Sequence, residues 1–171
     1  MTFIASRRAF LVAVGSLSLA GCSSSPVGFT MDGGPGFYKR LNARAEQVDA
    51  VAARDMISIY RTNHGLSALS LDPALMEAAQ EQALAMARAD RMSHDIGGSL
   101  QSRLWNKLAH KTATENVGAG YYTLAEAFSG WRESPSHNKN MLNPAMRRMG
   151  IATAFVAESK YKVFWALILT D

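Results

Sequence analysis

Apolar side chains recur at steps of three and four residues along 37–63, where Leu41, Ala45, Val48, Val51, Ala52, Met56, Ile59 and Tyr60 would share one helix face before His64 and Gly65 stop the pattern. A second helix is predicted over 72–92. Asp72 offers a capping carboxylate, Pro73 suits the first helical position, and Leu75, Met76, Ala79, Ala83, Met86 and Ala87 line one face. Shorter helices are expected over 100–108, after the Gly97-Gly98 break, and over 124–131. Beyond Pro144 the period changes. "MGIATAFVAE" and "KYKVFWALIL", separated by Ser159, are β-branched and aromatic and predict an antiparallel hairpin, with a third strand at 114–118. Helices first and a hairpin last give an α+β fold, helices packed over a small antiparallel sheet.

The N-terminal pattern differs. "MTFIASRRAFLVAVGSLSLAGCSSS" has paired Arg7 and Arg8, a short apolar run and small residues up to Cys22, which is the form of an export signal. The apolar run is broken by Gly15, Ser16 and Ser18, and a membrane-spanning helix needs about 20 apolar residues. Ser6-Arg7-Arg8-Ala9-Phe10-Leu11 resembles a twin-arginine signal, and Leu19-Ala20-Gly21-Cys22 resembles a bacterial lipobox. The expected organisation is a signal peptide over 1–21, a lipidated Cys22 (palmitate or similar acyl chains) with a flexible tether over 22–36, and one domain over 37–171. Such a protein would be anchored to the cell envelope through Cys22, on the periplasmic side. Ser23 is compatible with outer-membrane sorting.

Composition narrows the function. The chain has 171 residues, 48% of them hydrophobic, enough for one core and too few for two. Cys22 is the only cysteine, so the domain has no internal disulfide. Loss of Arg7 and Arg8 with the signal leaves 16 basic against 14 acidic side chains, a balance that gives no reason to expect nucleic-acid binding. There is no His-Glu-x-x-His pair, no Gly-x-Ser-x-Gly elbow and no phosphate-binding glycine loop.

Four ordered segments remain: "MSHD" with His94, "ENVGAG" at 115–120, "WRESPSHNKNMLNP" at 131–144 and "RRMGIATAF" at 147–155. Together they resemble the CAP superfamily, the SCP/Tpx-like domain of CRISP, antigen 5 and PR-1 proteins, in its short bacterial form. The resemblance implies an α-β-α sandwich, with about three antiparallel strands between helical layers, and a cleft lined by two histidines and acidic residues. The matching positions are His94, Glu115 and His137. The family's fourth cleft residue is often a Glu three places after the Trp, where this chain has Ser134. Glu133 lies one place earlier, and on a helix one residue turns a side chain by about 100°. Glu133 and Ser134 are therefore secondary cleft candidates.

Two imidazoles and a carboxylate have the donor types of an open Zn²⁺ site, and equally suit a general base with an orienting carboxylate. Ser134 as N-cap and Pro135 as first helical residue would put His137 in a first turn, where the helix dipole disfavours an imidazolium. Trp131 is expected to pack, and His64 and His110 to be exposed. Three functions stay open. The first is a monomeric binding module for a small ligand (lipid, divalent metal or cell-wall component). The second is a metal-assisted hydrolase of an envelope peptide or polymer. The third is a structural envelope protein.

Overall fold

The computed structural model describes residues 36–43, 46–104 and 112–171. The export signal, Cys22 and the tether as far as residue 35 lie outside the described residues, as do positions 105–108 of the third expected helix and His110.

The described elements are a 3-10 turn at Gly36–Tyr38, α1 (Ala50–Thr62), β1 (Ser70–Leu71), α2 (Pro73–Ala89), α3 (Leu100–Leu104), β2 (Ala113–Ala119), α4 (Leu124–Glu133), α5 (Pro135–Met141), β3 (Arg148–Phe155) and β4 (Val163–Thr170). The sheet order is β1-β3-β4-β2. β3 and β4 form the expected hairpin, and β2 runs antiparallel to β4. The two-residue β1 adds a parallel edge beside β3. None of the described helices is long and apolar enough to cross a membrane.

The sandwich follows from strand alternation. Met149 and Ile151 of β3, with Val163, Trp165, Leu167 and Leu169 of β4, face one way and pack against α1, α4 and α5 through Ile57, Leu124, Trp131 and Met141. Ala152, Ala154, Phe164, Ala166 and Ile168 face the other way, onto α2 and α3. Every residue of β4 is buried, as the central position of its strand requires. On the second face the contact is close because it is built from alanines: Ala78, Ala79, Ala83 and Ala87 of α2 lie over the small residues of β3. Gly150 is the tightest point, where a Cβ would overlap backbone atoms of Leu75 and Met76.

The first helix corrects the sequence reading. Periodicity predicted one helix over 37–63, but helix begins only at Ala50, where Asp49 Oδ1 accepts from the backbone N–H of Val51 and Ala52. Upstream, the backbone is bonded elsewhere: Leu41 N–H to Tyr122 O, Val48 N–H to Thr153 Oγ1, and Asn42 and Ala43 N–H to the Glu46 carboxylate. Tertiary partners override a pattern that was apolar at the right steps. The second helix stops at Ala89 rather than 92, because Asp90 turns left-handed at φ 45°. Its predicted cap holds, with Asp72 Oδ1 accepting from Ala74 and Leu75. Thr123 and Glu126 form a capping box at the start of α4, which extends to Glu133.

Candidate functional site

β2 is an edge strand, so its alternate side chains reach opposite faces of the sheet at an open margin. Glu115 lies on the α2–α3 side and Asn116 on the α5 side, opposite Ile168 and Leu167 of β4 respectively. The site is assembled around this edge. His94 arrives from the loop after α2, anchored where Gln82 Nε2 donates to Ser93 O at 2.8 Å. His137 arrives on α5.

Glu115 is the centre. Its side chain is only 2% exposed, which removes the alternative that it is a surface carboxylate. A buried carboxylate needs partners for both oxygens, and both are present. Oε1 lies 2.9 Å from His94 Nδ1, and Oε2 accepts from Arg103 Nη2 at 2.7 Å. Arg103 also binds the loop itself, through Nη2 to His94 O and Nε to Gly98 O, both at 3.3 Å.

His94 thus has one ring edge fixed by a carboxylate, while half of its side chain remains exposed. The His137 ring centroid lies 6.4 Å from that of His94. α5 is held by asparagines: Asn116 Nδ2 donates to His137 O at 3.0 Å, and Asn140 Nδ2 donates to Glu115 O and Asn116 Oδ1 at 3.1 and 2.9 Å. The two imidazoles are pushed in opposite directions. The hydrogen bond to Glu115 and its negative charge raise the pKa of His94, against opposing effects of burial and Arg103. Burial, followed by the charge on His94, lowers that of His137. The direction for His137 is the one expected, but its causes are burial and the facing histidine.

Ser134 is the N-cap of α5 by position, with Pro135 in the first turn, yet its side chain makes no capping hydrogen bond. Its hydroxyl lies 3.3 Å from that of Ser136. Ser134 thus holds the expected N-cap position without the expected side-chain bond. Glu133 ends α4 with 74% of its side chain exposed and Arg132 as a distant partner at 3.9 Å. Trp131 packs as expected, 1% exposed and edge-on to Trp165, with Nε1 donating to Val117 O. His64 is exposed, its Nδ1 2.7 Å from Tyr60 O.

Whether the triad suits a divalent metal depends on free donors. Glu115 has both oxygens engaged, and among the described residues no group of three His, Cys, Asp or Glu is arranged to hold a metal ion. The triad in this arrangement therefore does not fit a three-ligand zinc site; two imidazoles remain as donors.

Sequence reasoning missed Arg103, Asn140 and the groove beside α1. A buried acid implies a cationic or hydrogen-bonding partner, but nothing in "SLQSRLW" says which basic residue supplies it. The groove, about 560 Å³, lies between α1, α4 and the 3-10 turn and is lined by Phe37, Met56, Ile59, Tyr60 and Phe128. Tyr60 joins it to α5, its hydroxyl donating to Asn138 Oδ1 at 3.0 Å.

An α-β-α sandwich with an edge-strand glutamate paired to one histidine, and a second histidine facing the first, defines the class. The chain belongs to the CAP, or cysteine-rich secretory protein, family, which it matches over residues 54–169. It is 26% identical over 125 residues to the YkwD protein of Bacillus subtilis, covering 68% of this chain and 49% of that protein. It is 30% identical over 100 residues to the membrane protein YlbC of the same organism, covering 57% and 29%. The chain thus spans half or less of these relatives. Among solved structures, an extracellular SCP-domain protein of Bacillus anthracis superimposes with a TM-score of 0.62 at 27% identity, covering 71% of this chain and 39% of that one. An outer surface protein of Borrelia burgdorferi shares the fold at 18% identity, with a TM-score of 0.61 and coverage of 69% and 88%.

Proposed function

We propose that this is an exported CAP-domain protein, anchored to the cell envelope through a lipidated Cys22, that binds a small envelope ligand in the cleft of His94, Glu115 and His137. The observation that carries the ligand reading is the His94–Glu115 pair: a nearly fully buried carboxylate orients an imidazole whose other edge stays open. A buried charge is costly unless it is paired, so a fixed ring at an open margin suits recognition better than stability alone. The groove along α1 supports a ligand with an apolar part, since its size is in the range of small-molecule sites, about 300–1,000 Å³. A divalent metal is the ligand class that the donor set fits least. Export is in keeping with the extracellular and outer-surface relatives named above.

The test is native mass spectrometry of the full-length chain and a His94→Ala/His137→Ala variant, each incubated with envelope lipid extract and with cell-wall fragments. Wild type should retain a ligand that the variant loses; a wild-type chain that retains nothing from either preparation would sink the reading. Anchoring is tested separately, since Cys22→Ala should move the protein from the membrane to the soluble fraction.

One observation favours hydrolysis as a second reading. Paired groups pushed apart in pKa are how acid and base roles are divided at one pH, and His94 and His137 are displaced in opposite directions. Turnover of an envelope peptide that is lost in both single histidine variants would support it.

A further inference from the structure

We propose that Arg103 determines which ligands the cleft accepts: its guanidinium is a resident cation on Glu115 that withholds the carboxylate from divalent metals, leaving the two imidazoles as the donors an incoming group meets. The inference rests on the reading of the cleft as a ligand site, and it concerns a residue outside the His94, Glu115 and His137 triad.

The geometry carries it. A carboxylate joins a metal site by offering an oxygen lone pair at about 2.0–2.2 Å. Oε2 of Glu115 instead accepts a charge-assisted hydrogen bond from Arg103 at 2.7 Å, and Oε1 lies 2.9 Å from His94. Arg103 cannot readily swing aside, because its side chain is 11% exposed and is tied to two loop carbonyls, Gly98 O and His94 O. Moving it would strand two buried charges, which is strongly unfavourable. The charge balance agrees. Arg103 and Glu115 cancel, so the pair offers no net negative charge to a dication entering between the imidazoles. Asp95, next to His94, is exposed and therefore hydrated. Arginine suits this role because it keeps its proton at any physiological pH and binds through a planar fork.

The experiment is a calorimetric titration of the full-length chain with zinc chloride alone at pH 7.5, using wild type, Arg103→Met, Glu115→Gln and the double variant, with circular dichroism to confirm folding. Arg103→Met keeps the apolar stem and frees Oε2, so zinc affinity should rise by at least about tenfold, or about 1.4 kcal/mol. Adding Glu115→Gln should abolish the gain. Glu115→Gln alone should change wild-type affinity by less than about threefold, since two imidazoles supply what little affinity there is. A folded Arg103→Met chain with wild-type zinc affinity overturns the proposal. So does a wild-type zinc affinity that falls tenfold or more on Glu115→Gln alone, an arm that decides the matter even if Arg103→Met does not fold. A chain that retains no envelope ligand yet follows this zinc pattern keeps the role of Arg103 and loses only the ligand reading.

Discussion

His94 Nδ1 meets Oε1 of Glu115 at 2.9 Å, joining a ring that is half exposed to a carboxylate that is almost wholly buried. The carboxylate fixes which edge of the imidazole faces inward and leaves Nε2 free of that bond, the same logic by which a buried acid orients a catalytic histidine.

Replacing Glu115 with Gln should therefore lower the His94 pKa, since its hydrogen bond is the largest cause of the rise and its negative charge adds to it, with Asp95 a lesser contributor. The stability consequence has a definite sign. A histidine raised in the folded state contributes stability below its unfolded pKa, about 6.5, which is lost as pH rises through the folded value. The Glu115→Gln variant also leaves Arg103 without its buried partner, at a cost of about 3 kcal/mol or more at any pH. Urea unfolding should show a larger loss at pH 5.5 than at pH 8. An equal loss at both would mean that His94 is not coupled to Glu115 in solution.

His137 should respond to His94. Its pKa is lowered first by burial and then by the charge on His94, so below about pH 6.5 the unfolded chain binds this proton more readily than the folded one. Its contribution is thus a penalty that grows as pH falls through 6.5 toward the folded value. In His94→Asn the electrostatic part vanishes while burial stays, and the His137 pKa should rise yet remain below the ordinary value. Proton NMR titration of the imidazole resonances measures both; a His137 pKa unmoved by His94→Asn would show that the rings do not sense each other.

Arg61 is fully buried in α1 and donates to four carbonyls: Ser67 O at 2.9 Å, Met141 O at 2.7 Å, and Asn143 O and Met146 O, both at 2.9 Å. It ties α1 to the chain just after α5, and so helps to fix the helix that carries His137. Arg61→Met should cost about 3 kcal/mol or more, because the carbonyls of Met141 and Met146 are left dry. Arg61→Lys should recover little, as one ammonium cannot span the fork. Chemical denaturation of the three proteins checks this, and a fully stable lysine variant would contradict it.

The hairpin of β3 and β4 and the capped start of α2 were legible because each depends on local pattern, period two or an Asp-Pro start, whereas His94, Glu115 and His137 were singled out only through the family resemblance. Three features were not legible. The segment before Ala50 has helical periodicity, yet it spends its hydrogen bonds on Tyr122 and Thr153, partners 81 and 105 residues away in sequence. Arg103 looks like any basic residue of a polar helix until β2 brings Glu115 beside it. Ser134 has the sequence of a cap but makes no cap bond. Non-local pairing decides all but the last of these, and a single sequence carries no signal for it.

Gly150 gives a test of the fold that is independent of the cleft. It lies on β3 against α2, with ordinary backbone angles, so its role is space rather than conformational freedom. A methyl group there would overlap the backbone of Leu75 and Met76, atoms that cannot rotate away as a side-chain tip would. α2 would have to lift from the sheet, loosening Ala78, Ala79 and Ala83 where they pack on Ala152, Phe164 and Ala166. Gly150→Ala should therefore destabilise the domain by about 1–3 kcal/mol, although alanine is normally the better strand residue. Thermal unfolding should register a fall in Tm of several degrees. A variant as stable as wild type would mean that α2 sits farther from β3 than this contact requires.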